Sequence, residues 1–100
     1  MKYKMIVSDV DGTLLDPEHR LPEENRKAIE LYRSRGGLFS LATGRIEKSA
    51  VRLQQELSID LPLILYNGAK IVDLSRNSVV FEKCLTREQS LAAVKALGAA

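Results

Sequence analysis

Apolar residues follow two rhythms along this chain. Short near-continuous runs, "YKMIVS" (3–8), "LFSLAT" (38–43) and "LPLILY" (61–66), alternate with longer stretches where apolar positions recur every three or four residues. The runs predict strands covered on both faces, and the spaced stretches predict amphipathic helices. The first helix is expected over 23–35, with Ala28, Ile29, Leu31 and Tyr32 as its apolar stripe. Pro22 suits the first helical position, Glu23 and Glu24 the positive end of the dipole, and Arg33 and Arg35 the negative end. Gly36-Gly37 then stops the helix, one glycine taking the left-handed cap. A second helix follows Gly44, with Ile46, Ala50, Leu53 and Leu57 on one face. The order is strand, helix, strand, helix, strand. Each crossover is long enough for parallel pairing, so the expected class is α/β with a Rossmann-like parallel sheet.

The rhythm changes after Gly68. "AKIVD" and "SVVFEKC" flank the polar turn "LSRN" and predict an antiparallel hairpin. "TREQSLAAVKALG" predicts a further helix, with Thr86 and Gln89 in capping-box spacing and Gly98 as its stop. The switch divides the chain into residues 1–69, the first part of a core domain, and residues 70–100, the opening of a second module. No internal repeat, low-complexity tract or flexible linker interrupts it.

Composition narrows the partners. The 100 residues are 45% hydrophobic with a net charge of +2, enough for one small domain. Lys and Arg are spread along the chain, with no block resembling a nucleic-acid arm, so no nucleic-acid partner is expected. "MKYKMIVSD" reaches a carboxylate too early for a signal peptide or a membrane span, so no membrane partner is expected either. Cys84 cannot form an internal disulfide, which fits a reducing cytoplasm, and its apolar neighbours predict a small buried hydrophobe. His19, in the polar segment "DPEHRLP", reads as a solvated loop histidine without a partner.

The chemistry concentrates in "MIVSDVDGTLLD" (5–16). Residues i and i+2 of a strand share a face, so Asp9 and Asp11 would project together from the strand's carboxyl end. That is where open α/β sheets bind ligands. Two carboxylates so close repel, and a shared proton or a bound cation must compensate. Mg²⁺ suits such hard oxygens and leaves room for phosphate. Gly12 lets the backbone approach an anion, and Thr13 adds a hydroxyl. An isolated D-x-D would read better as a turn that caps loop amides. The apolar strand before it and G-T-L after it reverse that preference.

These residues resemble a known family. "VSDVDGTLLD" resembles the first motif of the haloacid dehalogenase-like (HAD) hydrolases, D-x-D-G-T after a strand. "LATGR" (41–45) is similar to their second motif, and T-G-R, "YNGA" (66–69) and the hairpin resemble the Cof-type sugar-phosphatase branch. The resemblance implies an Mg²⁺-dependent phosphatase acting on a small phosphorylated metabolite. Asp9 would be the nucleophile that forms an aspartyl-phosphate, and Asp11 the general acid and then the base. Asp9 and the Asp11 main-chain carbonyl would hold Mg²⁺. Thr43 would bind a phosphoryl oxygen, helped by backbone N–H groups of the Asp11-Gly12 turn and Gly44. Arg45 would contact substrate, in competition with a plain surface role, and Asn67 would line the crevice. The hairpin and last helix would begin an inserted α/β cap.

The same comparison implies missing parts. The family's phosphate-steadying lysine and its G-D-x-x-N-D metal motif follow the cap, and neither occurs in residues 1–100. The strands expected beyond the first strand also follow the cap. That strand should therefore be an apolar edge open to self-association, the chain a truncated form of a longer product, and turnover by these residues alone small or nil. A second reading is a non-catalytic phospho-acceptor or interaction module with a receiver-like acidic site. Receiver domains place their acidic pair and acceptor on different strands, which fits D-V-D-G-T badly. A dinucleotide-binding domain fails because no G-x-G-x-x-G follows the first strand.

Overall fold

The computed structural model describes residues 3–98. Within them run β1 (Met5–Ser8), α1 (Glu23–Ser34), β2 (Leu38–Leu41), α2 (Glu47–Glu56), β3 (Leu63–Leu65), β4 (Lys70–Asp73), β5 (Ser78–Glu82) and α3 (Arg87–Gly98). β1 and β2 pair in parallel, Met5 opposite Leu38 through Ser8 opposite Leu41. A parallel bridge from Ala42 to Ile64 joins β2 to β3, and the Thr43 N–H donates to the Ile64 carbonyl at 2.8 Å. The parallel strands thus run in the order β1, β2, β3, as expected for an α/β core.

The core is one cluster under these strands. It joins Phe39 and Leu41 of β2, Leu63 and Leu65 of β3, Ile29 of α1, and Ala50 and Leu53 of α2. Val10, Leu14 and Leu15, just past β1, close it from the site's side. The two helices are also tied directly. Arg33 donates to the Ser58 carbonyl at 2.8 Å and also bonds the Leu57 carbonyl, satisfying carbonyls that the end of α2 leaves unpaired. Arg26 pairs with Glu56 at 2.5 Å.

Local details follow the sequence closely, with two exceptions. Gly36 takes the left-handed conformation, φ +89°, that ends α1. Gly37 is fixed by contact, because the Tyr32 ring lies where its Cβ would sit. The capping box is reciprocal: the Gln89 N–H donates to Thr86 Oγ1 at 3.1 Å, and the Thr86 N–H to Gln89 Oε1 at 2.9 Å. Pro22 precedes α1 as its extended N-cap, ψ 142°, rather than opening the helix. β1 is not covered on both faces: Met5, Ile6 and Val7 are 41–46% exposed. Its neighbour among the described strands is β2 alone.

The hairpin forms as predicted, and β4 also pairs antiparallel with β3, Leu63 opposite Val72. It therefore continues the same sheet, while α3 beyond it has no buried residue. This arm stretches the molecule to 52 × 29 × 26 Å, with a radius of gyration of 16.4 Å, against about 13 Å for a compact domain of this length. Residues 99 and 100, the end of the expected second module, lie outside the described residues.

An ion pair anchors the hairpin to α2. Lys70 Nζ meets Glu47 Oε2 at 2.8 Å and Glu82 at 3.5 Å. The Lys70 bond holds the Glu47 carboxyl down at about 2 from an ordinary 4.5. A depressed carboxyl contributes stability that is complete above its unfolded value and fades as pH falls through its folded one. Acid unfolding between pH 4.5 and about 2 should therefore include this pair. Lys70→Met is expected to flatten the pH dependence of the thermal midpoint in that window, as scanning calorimetry would show; an unchanged slope would refute the assignment.

Candidate active site

β1 ends at Ser8, and Asp9 and Asp11 lie in the loop that follows. The alternation expected of a strand persists nonetheless: Val10 is 1% exposed, and both aspartates face outward. Asp11 (φ −74°, ψ 128°) and Gly12 (φ +77°, ψ −1°) form a type II turn. Its third position requires a positive φ, which glycine adopts without strain. The Leu15 N–H returns to the Val10 carbonyl at 3.0 Å and closes the loop.

A second loop meets the first from the ends of β2 and β3. Tyr66, Asn67 and Gly68 have φ values of +51°, +54° and +99°. For two non-glycine residues, one bulky, that conformation costs on the order of 1 kcal/mol each. Two bonds to the loop after β2 offset the cost: Asn67 N–H to the Thr43 carbonyl at 3.0 Å, and Tyr66 N–H to the Arg45 carbonyl at 3.2 Å. The strap brings the Asn67 amide against the Gly44 backbone, where an added Cβ would stand 2.9 Å from Asn67 Oδ1.

The result is an open hollow of about 270 Å³ lined by Asp9, Thr43 and Asn67, with Ala42, Ile64 and Gly68 behind them. Thr43 is 5% exposed. Its Oγ1 accepts the Arg45 N–H at 3.1 Å, a local cap that leaves the hydroxyl proton free to donate toward the hollow. Asp9 is exposed, and its carboxylate accepts the Thr13 hydroxyl at 3.3 Å. No other partner of that carboxylate occurs among the described residues.

Asp11 differs. Arg45 grips it with two bonds, Nε to Oδ2 at 2.9 Å and Nη2 to Oδ1 at 2.5 Å. His19 Nδ1 lies 3.4 Å from Oδ1. The Arg45 hydrogen bonds hold the Asp11 carboxyl below its usual range, with His19 adding to the effect. Repulsion between the aspartates is therefore relieved on the Asp11 side by a guanidinium, and the uncompensated charge is that of Asp9.

Three expectations change here. Arg45 is neither free at the surface nor placed in the hollow; it binds Asp11. His19 has a partner, because Asp16 Oδ1 accepts the Glu18 and Arg20 N–H groups, both at 2.9 Å, and folds the loop back. Cys84 is exposed rather than buried, and its Sγ lies 3.2 Å from Glu82 Oε1. That carboxylate pushes the thiol up, the reverse of what a nucleophile needs.

The oxygens expected to hold Mg²⁺, an Asp9 carboxylate oxygen and the Asp11 main-chain carbonyl, would be only a partial set for that ion. Among the described residues no group of three or more His, Cys, Asp or Glu side chains could hold a metal. The fit is to an ion that completes its shell with water and phosphate oxygens.

An exposed carboxylate just past the end of one parallel strand thus lines the same hollow as a buried threonine that follows the next strand. The profile of the haloacid dehalogenase-like hydrolases matches residues 6–99, and the chain belongs to that family. It is similar to a putative phosphatase of Buchnera aphidicola, 39% identical over 77 residues, which are 77% of this chain and 29% of that protein. It is also similar to a 5-amino-6-(5-phospho-D-ribitylamino)uracil phosphatase of Bacillus subtilis, 38% identical over 76% of this chain and 30% of that protein. Among solved structures, a HAD subclass IIB sugar phosphatase aligns with a TM-score of 0.74 and 32% identity over 97% of this chain and 36% of its own. The chain thus spans between 29% and 36% of the length of these relatives. No helix among the described residues is long and apolar enough to cross a membrane.

Proposed function

We propose that this chain carries the nucleophile half of an Mg²⁺-dependent phosphomonoester hydrolase acting on small phosphorylated metabolites of the sugar-phosphate kind. The observation that carries this reading is the exposed Asp9, which lines one open hollow together with the buried Thr43. Asp9 attacks phosphorus, the bond to the ester oxygen breaks, and an aspartyl-phosphate forms. Thr43 donates its hydroxyl proton to a phosphoryl oxygen, and the Asn67 amide bounds the same space. Asp11 then takes a proton from the water that hydrolyses the intermediate once Arg45 loosens its grip, because a carboxylate held below its usual range is a weak base. Protonating the leaving alcohol beforehand likewise requires Arg45 to loosen its grip, because a carboxyl held below its usual range stays ionised and has no proton to give. Asp9 and Asp11 would hold Mg²⁺, which would supply charge neutralisation at the phosphoryl oxygens. Relatives named as phosphatases support the reading.

The test is the covalent step. The chain is incubated with an aryl phosphate, with and without Mg²⁺, and the adduct is located by mass spectrometry after borohydride trapping. A Mg²⁺-dependent conversion of residue 9 to homoserine, the borohydride product of an aspartyl-phosphate, absent in Asp9→Asn, is expected. An adduct on another residue, or one indifferent to Asp9→Asn, would overturn the assignment.

A further inference from the structure

Beside the hollow lies a larger concavity with no assigned role. The 15–21 loop and one face of α2 enclose a groove of about 640 Å³. Leu15, Leu21 and Leu53 form its apolar floor, and cations dominate its walls. Lys48, Ser49 and Arg52 share one face of α2, with Arg45 just before that helix and Arg20 also lining the groove. Two carboxylates share the walls, and both are engaged. Glu56 is paired with Arg26 at 2.5 Å, and Glu18 with Arg20 at 3.4 Å. Arg45 is committed to Asp11.

Lys48 and Arg52 therefore remain. Among the described residues neither has a hydrogen bond or an ion pair, and both are exposed. Like charges at i and i+4 of a helix repel by a few tenths of a kcal/mol. A concave wall focuses their common field and raises the local concentration of anions. Their chemistry calls for a compact, multiply charged anion, since Arg presents a fork and Lys a point charge to phosphate oxygens.

We propose that this groove is an anion subsite in which Lys48 and Arg52 bind a phosphate-sized dianion, separate from the hollow at Asp9. The dianion is either a second charged group of the metabolite bound at Asp9 or an independent effector. The site stands on its own lining and goes beyond the phosphatase reading, because Asp9→Asn should leave it intact.

The isotopically labelled chain is titrated with inorganic pyrophosphate at fixed ionic strength, with amide shifts as the readout. Saturable shifts at Lys48, Ser49, Arg52 and the 18–21 loop are expected. The double variant Lys48→Gln/Arg52→Gln should weaken binding by about tenfold or more, since each charge-assisted bond contributes on that scale. Both side chains are exposed, so the variant should keep its thermal midpoint. Unchanged affinity in the double variant, shifts confined to residues 42–44 and 66–68, or equal shifts from sodium chloride would each overturn the proposal.

A second arm separates the two sources. If the dianion belongs to the metabolite, a sugar bisphosphate shifts groove and hollow with a single dissociation constant. If it is an effector, pyrophosphate fills the groove while a sugar monophosphate occupies the hollow with its own dissociation constant, each changing the other's affinity by the same factor.

Discussion

Leu41→Ala is expected to cost about 3 kcal/mol and to lower the thermal midpoint by roughly 15 °C. Leu41 is fully buried in β2, opposite Ser8 of β1 and among the side chains that join both helices to the sheet. Truncating it removes transfer free energy and leaves a cavity the strands cannot close, because β2 is paired with β1 and bridged to β3. Domains of this size are stabilised by only about 5–15 kcal/mol. With β1 half exposed and α3 unburied, this chain has few reserves. The control is Leu97→Ala in α3, where the side chain is 78% exposed; it should shift stability by less than about 0.5 kcal/mol. Equal midpoints for the two variants would contradict the core described above.

The contrast between Leu41 and Leu97 also shows what sequence could and could not reveal. Local rules sufficed wherever the determining partner was close along the chain. Thr86 and Gln89 are three residues apart, and their reciprocal cap could be read from spacing. Gly36 was legible because a helix stop needs a left-handed residue that few others tolerate. Parallel pairing of β1, β2 and β3 was legible in the length of the crossovers, whereas their order is a result of the fold. Asp9 and Thr43 were placed by family resemblance, and the fold brings them to one hollow.

What failed were contacts between residues distant in sequence. Arg45 reaches Asp11 across 34 positions, and Lys70 reaches Glu47 across 23. No periodicity records such pairs, since charged side chains look alike whether solvated or clasped. His19 needed a loop folded by Asp16, a tertiary result of local bonds that the letters D-P-E-H-R do not announce. Cys84 misled for the opposite reason. Apolar neighbours imply burial only if something covers them, and β5 is exposed along its whole length.

The pair of aspartates then separates by experiment. In a form of the protein that hydrolyses an aryl phosphate, Asp9→Asn should lower turnover by a factor on the order of 10⁴ or more, with no adduct formed. Removing a nucleophile leaves only binding and electrostatic terms. Its fold should persist, because the exposed carboxylate makes one 3.3 Å bond with Thr13. Asp11→Asn should behave differently. An aryl leaving group departs with little help from an acid, so the adduct at Asp9 should still form, while its hydrolysis slows by about 10²–10⁴-fold for want of a base. The adduct should therefore accumulate in Asp11→Asn, as a burst followed by a slow steady rate. Breaking the half-exposed pair with Arg45 should cost stability of about 1 kcal/mol at most, so the slow phase is not a folding defect. If Asp11→Asn formed no adduct at all, Asp11 would belong to the first step alone. The Arg45 contact that keeps it ionised would then describe a resting state rather than the acting base.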